Sequence, residues 1–329
     1  MEKTILVTGG AGYVGFTLVE ELAKRYNDRT IVVYDNLSKA RLDGIGSLAH
    51  KHKNIVAIPW EQADIRDAEN FEKVLKEYNP EIVVHLAAIV DAFTTNRKGK
   101  DLECEIVNHE SAVNIAILSK KNGVKIFIFQ SSVSVYSRGE NIDEEAPKDP
   151  LSTYGKTKMR AEKGLLEINS PEFKVVILRP ATVVGYNPAF RYETIINLMC
   201  IRSLYKMPIN IFESAMYGNK TYTYLKDNAA AIIFAIENAN LMNGQYYNVS
   251  SFNVNLDTVL KILKRTLKED FPYYMTPQKT ISQHVYTVSS EKISKLGFKP
   301  EGNIEAVIQE SIANLKKQRS FFHGMSGIY

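Results

Sequence analysis

Tyr154 and Lys158 stand four residues apart in the run Tyr154-Gly155-Lys156-Thr157-Lys158, a spacing that puts both side chains on one face of a helix. Ser152 or Thr153, just upstream, suits the N-cap of that helix. A phenol with its usual pKa of about 10 is a poor base at neutral pH, but an ammonium beside it favours the phenolate. The tyrosine then becomes a usable proton acceptor and donor. Further hydroxyls occur in Gln130-Ser131-Ser132-Val133-Ser134-Val135-Tyr136, where Ser132 is the natural hydrogen-bond partner for a reacting hydroxyl. Each feature alone also reads as ordinary packing, a helix-surface pair and a polar strand-end turn. What joins them is that the serine run follows a strand, where open α/β sheets place their ligands.

A second constellation opens the chain. The apolar strand Thr4 to Val7 leads into Thr8-Gly9-Gly10-Ala11-Gly12-Tyr13-Val14-Gly15. Gly10, Gly12 and Gly15 satisfy G-x-G-x-x-G, and Gly9, Gly12 and Gly15 recur every three residues. Bare backbone lets the chain approach a pyrophosphate, whose charge is met by free N–H groups and by the positive end of the helix beginning at Tyr13. Asp35 closes the next strand 20 residues beyond Gly15, close to the spacing of about 20 at which a carboxylate binds a ribose 2′-hydroxyl. That carboxylate repels a 2′-phosphate, so NAD is favoured over NADP. Asn36 follows it, and the next arginine is Arg41.

The elements that must position these groups are legible as patterns. Thr4 to Val7, Thr30 to Tyr34, Asn54 to Ile58, Glu81 to His85, Lys125 to Phe129 and Lys174 to Leu178 are short and almost continuously apolar, as strands covered on both faces are. Helical periodicity separates them at Tyr13 to Tyr26, Asp67 to Tyr78, Leu102 to Asn122 and Thr153 to Ile168. The expectation is an α/β fold, a doubly wound parallel sheet of Rossmann type, over residues 1–180. Residues 181–329 read as a smaller mixed α/β substrate lobe, with helices near Thr194 to Leu204, Asp227 to Asn238, Leu256 to Lys268 and Ile304 to Lys317. A return of the stretch near 221–250 to the first sheet, Tyr246 to Val249 in particular, stays open. The tail Phe321 to Tyr329 looks loosely held.

Taken together, these features resemble the extended short-chain dehydrogenase/reductase family, in its NAD-dependent nucleotide-sugar epimerase/dehydratase branch. The resemblance covers nearly the whole chain. It implies that Ser132, Tyr154 and Lys158 are catalytic, with Lys158 binding the nicotinamide ribose and lowering the tyrosine pKa. For NAD it implies Gly9, Gly12, Tyr13, Val14, Gly15, Asp35 and Asn36, with Asp64-Ile65 at the adenine and Leu86-Ala87-Ala88 after His85. Asn108 matches a mid-helix asparagine, and Pro180 of Arg179-Pro180 opens the crossing to the second lobe. Gly297-Phe298-Lys299-Pro300 matches a C-terminal motif. For a nucleotide-diphosphate sugar it implies Ser132, Ser134 and Asn197, with Lys220 and Lys279 where the family usually carries arginines. Lysine there keeps the charge and loses the bidentate fork.

Departures from the family pattern bear on the reaction. The 4,6-dehydratases carry an acidic pair after the catalytic Ser/Thr, where this chain has Val133 and Ser134. Dehydration and decarboxylation are thereby disfavoured. Val90 and Thr182 replace the Lys and Asn of UDP-galactose 4-epimerases. Epimerisation at C4 through a transient keto-sugar is the preferred expectation, with a net NAD-dependent dehydrogenase or ketoreductase as the alternative. A non-catalytic NAD-sensing protein is a third reading, weakened by the intact Tyr154 and Lys158. A homodimer through Leu102 to Asn122 and Thr153 to Ile168 is also implied.

Composition excludes other classes. The 329 residues suggest about two domains at roughly 150 residues each. With 41 basic and 37 acidic residues the net charge is +4, too small for the concentrated basic footprint of a nucleic-acid binder. Cys104 and Cys200 form no disulfide framework or paired zinc motif, and a reducing, cytoplasmic setting is expected. His50, His52, His85, His109, His284 and His323 lack metal-ligand spacing, so no metal is expected. Neither a signal peptide nor a membrane span is read.

Overall fold

The computed structural model describes residues 3–39, 42–90, 100–137, 139–277 and 286–318. Twelve strands occur among them: β1 (Lys3–Thr8), β2 (Arg29–Tyr34), β3 (Ile55–Ala57), β4 (Ile82–His85), β5 (Ile126–Gln130), β6 (Lys174–Pro180), β7 (Thr182–Val184), β8 (Ile209–Phe212), β9 (Lys220–Tyr224), β10 (Gln245–Val249), β11 (Phe252–Val254) and β12 (Tyr273–Thr276). Seven form one parallel sheet in the order β10-β6-β5-β4-β1-β2-β3. The order reverses between β1 and β4, so the C-terminal ends of these two strands open the crevice where such sheets bind ligands.

The continuous apolar strands follow from two cores, one on each face of this sheet. Ile5, Val7, Ile31, Val33 and Val84 pack on one side with Leu18, Leu22, Ala229 and Ile232. Leu6, Val32, Val83, Phe127 and Phe129 pack on the other with Phe71, Ala112 and Leu165. Strand side chains alternate in direction, so both sets must be apolar.

The helix Leu225–Glu237 contributes to the first of these cores and β10 pairs with β6, so the chain crosses back to the sheet after entering the second lobe. β9 does not join it and lies between β11 and β7 in a three-stranded sheet. The second lobe has its own core, built around Ile196, Met199, Tyr222, Leu260 and Ile308.

Two local features depart from the sequence pattern. A helix at Leu42–Lys51 had no expectation attached to it. The expected single helix Leu102 to Asn122 is instead Lys100–Glu105, a wide π turn at Ile106–Glu110, then Ser111–Lys121. Asn108, in that wide turn, is fully buried, and a π turn inside an α-helix commonly marks a functional position. No helix among the described residues is long and apolar enough to cross a membrane.

Candidate active site

The four glycines of the first loop divide into two roles. A Cβ on Gly9, whose φ is +68°, would lie 2.7 Å from the Ala87 nitrogen. One on Gly10 would lie 2.9 Å from Val33 Cγ1, and one on Gly15 only 2.2 Å from the Gly9 carbonyl oxygen. These three let the loop fold onto β2, β4 and itself. Gly12 meets only the Gly9 oxygen, at 3.4 Å, so its missing side chain leaves room outside the protein's own packing. Just beyond, Tyr13, Val14 and Gly15 begin the helix Tyr13–Arg25, and their N–H groups have no preceding helical carbonyl. Open backbone and unpaired donors together fit a pyrophosphate.

Asp35 sits at the end of β2 and faces this loop. Its Oδ2 accepts from Ala11 N at 3.0 Å and its Oδ1 from Leu37 N at 2.8 Å. Burial raises its carboxyl pKa, and the backbone N–H groups of Leu37, Ala11 and Gly12 oppose that. Asn36 Nδ2 donates to Asp64 Oδ2 at 3.1 Å. Asp64 is also gripped by Arg66 through Oδ1 at 2.9 Å and Oδ2 at 2.6 Å, which holds its carboxyl down at about 2. Ile65 turns its side chain into the core with Tyr34 and Phe71, so only its backbone can meet a nucleotide.

The catalytic candidates converge at the end of β5. Ser152 caps the helix Thr153–Glu167, accepting from Gly155 N at 3.1 Å. A Cβ on Gly155 would stand 2.2 Å from the Ser134 carbonyl oxygen, so glycine is required for this helix to reach the serine turn. That approach brings the Tyr154 phenol into hydrogen bonding with Ser132. Ser132 Oγ donates to Ser134 Oγ at 3.0 Å and accepts from Ser134 N at 3.1 Å. Ser134 in turn bonds the phenol of Tyr286.

Lys158 is on the same helix face, 1% exposed. Burial lowers its pKa to about 7 and raises that of Tyr154 to about 12. Lys158 is expected to lower the tyrosine pKa, but it is not among the influences acting on that phenol. The influences that lower it are first the charge of Arg191 and then the Ser132 hydroxyl, because the Lys158 ammonium is turned onto the Gln130 carbonyl at 2.8 Å.

The exit of β4 supplies the wall between loop and cluster. Leu86 N donates to the Thr8 carbonyl at 3.1 Å and Ala87 N to Thr8 Oγ1 at 3.4 Å; Ala88 continues this half-exposed segment. His85 is fully buried, bonded through Nδ1 to Thr8 Oγ1 at 2.7 Å. Burial and then the Lys158 charge lower its pKa to about 3. Asn108 is turned onto the β4 exit: its Oδ1 accepts from Ile89 N at 2.8 Å and its Nδ2 donates to Ile89 O at 3.0 Å. The carboxamide is spent on shaping the β4 exit. Pro180 is buried at the end of β6, beside β10.

Across the cleft the second lobe behaves differently from expectation at Asn197. This side chain is 1% exposed and its amide is consumed by Gly185 N at 3.1 Å, Arg191 O at 2.7 Å and Tyr13 OH at 3.2 Å. It brackets the lobes, with both polar atoms of its amide bonded within the protein. Tyr13 completes that bracket, donating to Gly185 O at 2.6 Å. Lys220 is half-buried with the Tyr222 ring 6.0 Å away, and burial lowers its pKa. Having no ion-pair partner among the described residues, it is suited to an anion. Lys279, and with it His284 and His323, lies outside the described residues.

Gly155, Arg191 and Tyr286 were not singled out by sequence reasoning. Only Gly155 carried a signal, as a glycine in a helical turn where it is unfavourable. Arg191 reaches in from the second lobe to donate to Val90 O at 2.7 Å. Among the described residues no cluster of His, Cys, Asp or Glu could hold a metal. The assembled groups can exchange a proton with a hydroxyl beside a bound dinucleotide.

Residues 5–250 match the family described as NAD dependent epimerase/dehydratase. UDP-glucose 4-epimerase 2 of Arabidopsis thaliana is 29% identical over 198 residues, covering 57% of this chain and 54% of that protein. The chain thus spans about half the length of this curated relative. A UDP-glucose 4-epimerase of Thermotoga maritima, solved with UDP-glucose, has a TM-score of 0.83 at 23% identity, covering 96% of this chain and 99% of that one. The dTDP-glucose 4,6-dehydratase of Bacillus anthracis, solved with NAD, gives 0.81 at 21%, covering 97% and 98%. Epimerase and dehydratase share this fold, so the fold does not choose between them.

Proposed function

Because the chain belongs to the NAD dependent epimerase/dehydratase family, we propose that it is a nucleotide-sugar epimerase acting at C4, with NAD retained through turnover. The observation that carries this reading is Ser132 and Tyr154 hydrogen-bonded beside the uncharged pair Val133 and Ser134, with no carboxylate where water elimination needs one.

When bound, NAD supplies an acceptor for the hydride of the carbinol carbon and a donor that gives it back. The N–H groups of Tyr13, Val14 and Gly15, above the open backbone of Gly12, would hold its pyrophosphate, Asp35 and Asn36 the adenosine ribose, and Asp64 with the Ile65 backbone the adenine. Gly9 seats the loop against Leu86 and Ala87; these with Ala88 and Pro180 would border the nicotinamide, and Lys158 would bind its ribose. Ser132 orients the sugar hydroxyl and Tyr154 accepts its proton, leaving a ketone at C4. Tyr154 keeps that proton while the keto-sugar turns over, then returns it to the oxygen of the inverted centre. Ser134, Lys220 and Lys279 are assigned to the sugar and its diphosphate.

This gives residues 1–180, with the returning 225–249, the cofactor, and the rest of 181–329 the sugar. Exposed Leu102 and Ile117, at 67% and 47%, support pairing of two copies through the helices Lys100–Glu105, Ser111–Lys121 and Thr153–Glu167. The buried free thiols of Cys104 and Cys200 support a reducing, cytoplasmic setting.

The test is NMR of the protein incubated with UDP-, GDP-, CDP- and dTDP-sugars, without added cofactor and then with NAD far below the sugar concentration. A C4 epimer accumulating beyond the NAD present is the expected result. Conversion only in step with added NAD or NADH would replace epimerisation by net dehydrogenation.

A further inference from the structure

Behind the proton-transfer residues lies a buried ion pair to which the reaction as written gives no part. Arg179 is 0% and Glu162 1% exposed. Arg179 donates through Nε and Nη2, each at 2.7 Å, to the two carboxylate oxygens of Glu162. Its third branch, Nη1, donates to Tyr136 OH at 2.6 Å, which donates to Asn248 Oδ1 at 3.0 Å. Ser131 Oγ donates to Glu162 Oε1 at 2.6 Å, and Lys148 Nζ lies 3.8 Å from Oε2.

The placement of this carboxylate is what matters. Glu162 is one helical turn beyond Lys158 and two beyond Tyr154, on their face of the helix. Its partner Ser131 directly precedes Ser132, and Arg179 stands on β6 beside β5. One carboxylate therefore ties together the helix of Tyr154, the strand end of Ser132 and the neighbouring strand. A buried ion pair adds little net stability over an apolar replacement, whereas a bidentate fork sets position and angle.

We propose that Glu162 is a positioning residue of the reaction, fixing through Ser131 and Arg179 the separation between Ser132 and the Tyr154–Lys158 face. This rests on the proposed proton transfer at Tyr154. A second consequence is electrostatic, since the Glu162 charge opposes the loss of the Lys158 proton. The other titratable groups facing Lys158 are Tyr154 on its own helix, Cys104 on Lys100–Glu105 and His85 on β4, while the centre of the Phe129 ring lies 4.5 Å from its ammonium and the Gln130 carbonyl on β5 accepts from it.

The experiment compares Ser131→Ala, Glu162→Gln, the charge-neutral double variant Glu162→Met/Arg179→Met and Tyr154→Phe in the full chain. It measures kcat, KM, melting temperature and the titration of Lys158 by NMR of its side chain. Misplacement by about 1 Å costs up to about 10²-fold in rate, so kcat is expected to fall about 10-fold in Ser131→Ala and up to about 10²-fold in the double variant, with KM within about twofold. Lys158 is expected to titrate at lower pH in Glu162→Gln. If Glu162→Gln fails to fold, Ser131→Ala and the double variant carry the test. Wild-type kcat in both would overturn the proposal and leave the pair a purely structural one. Wild-type kcat in Tyr154→Phe would sink the proton-transfer reading instead, and the Lys158 titration would still report whether Glu162 governs that ammonium.

Discussion

The Lys158 ammonium stands 6.0 Å from the centre of the Tyr154 ring and donates to the Gln130 carbonyl 2.8 Å away. The two groups share a helix face without sharing a proton. Burial drives their pKa values apart, the lysine down to about 7 and the tyrosine up to about 12, because each loses solvent around its charged form. The raised pKa keeps the phenol protonated, so the proton-accepting step proposed for Tyr154 needs an influence that favours its phenolate.

Tyr154→Phe should lower turnover by about 10² to 10⁴, the usual contribution of a positioned acid/base, with little change in melting temperature. Turnover near wild type by the NMR assay would contradict the role assigned to this residue.

Arg191→Met should move the pH profile of activity to higher pH. Its charge is the largest influence lowering the Tyr154 pKa, so removing it disfavours the phenolate and raises the pKa read from a kcat/KM profile. Arg191→Lys should keep the profile, and an unchanged profile in Arg191→Met would exclude this coupling.

Gly12→Ala and Gly15→Ala should fail in different ways. The new Cβ at 15 would lie 2.2 Å from the Gly9 oxygen, and the one at 12 only 3.4 Å from it. Melting temperature should fall for Gly15→Ala, whereas Gly12→Ala should fold normally and bind NAD weakly. Calorimetric titration together with thermal melts separates the two.

Asp35→Arg should weaken NAD binding more than NADP binding, since it exchanges the carboxylate at the end of β2 for a cation. Equal losses for both cofactors in parallel titrations would argue that Asp35 acts only through Ala11 and Leu37.

His85 should make the protein sensitive to acid. Its folded pKa is about 3 against 6.5 for the free side chain, so between these values the unfolded chain binds more protons. The stability that depends on neutral His85 is complete above pH 6.5 and is lost as pH falls toward 3, by at most about 1.4 kcal/mol per pH unit. Melting curves of wild type and His85→Leu across this window should show a shallower slope in the variant.

Much of this site was legible before folding was considered. Helix and strand geometry is local, so four-residue spacing put Tyr154 and Lys158 on one face, and the strand-then-glycine run identified the loop. Asp35 followed from its distance along the chain. Unreadable were the fates of Asn108 and Asn197, whose amides are consumed by Ile89, Gly185, Arg191 and Tyr13. A side-chain amide in a sequence carries no record of the backbone groups that meet it.

What the sequence by itself determined was the order of elements, the face each reactive side chain occupies and the bare backbone at Gly12, because all of these depend on residues within a turn or two of one another. Only the tertiary structure decided that Arg191 approaches Tyr154, that β10 returns to β6, and that Glu162 finds Ser131 and Arg179. Those pairings join segments far apart in the chain, and they are set by which apolar faces must be buried together.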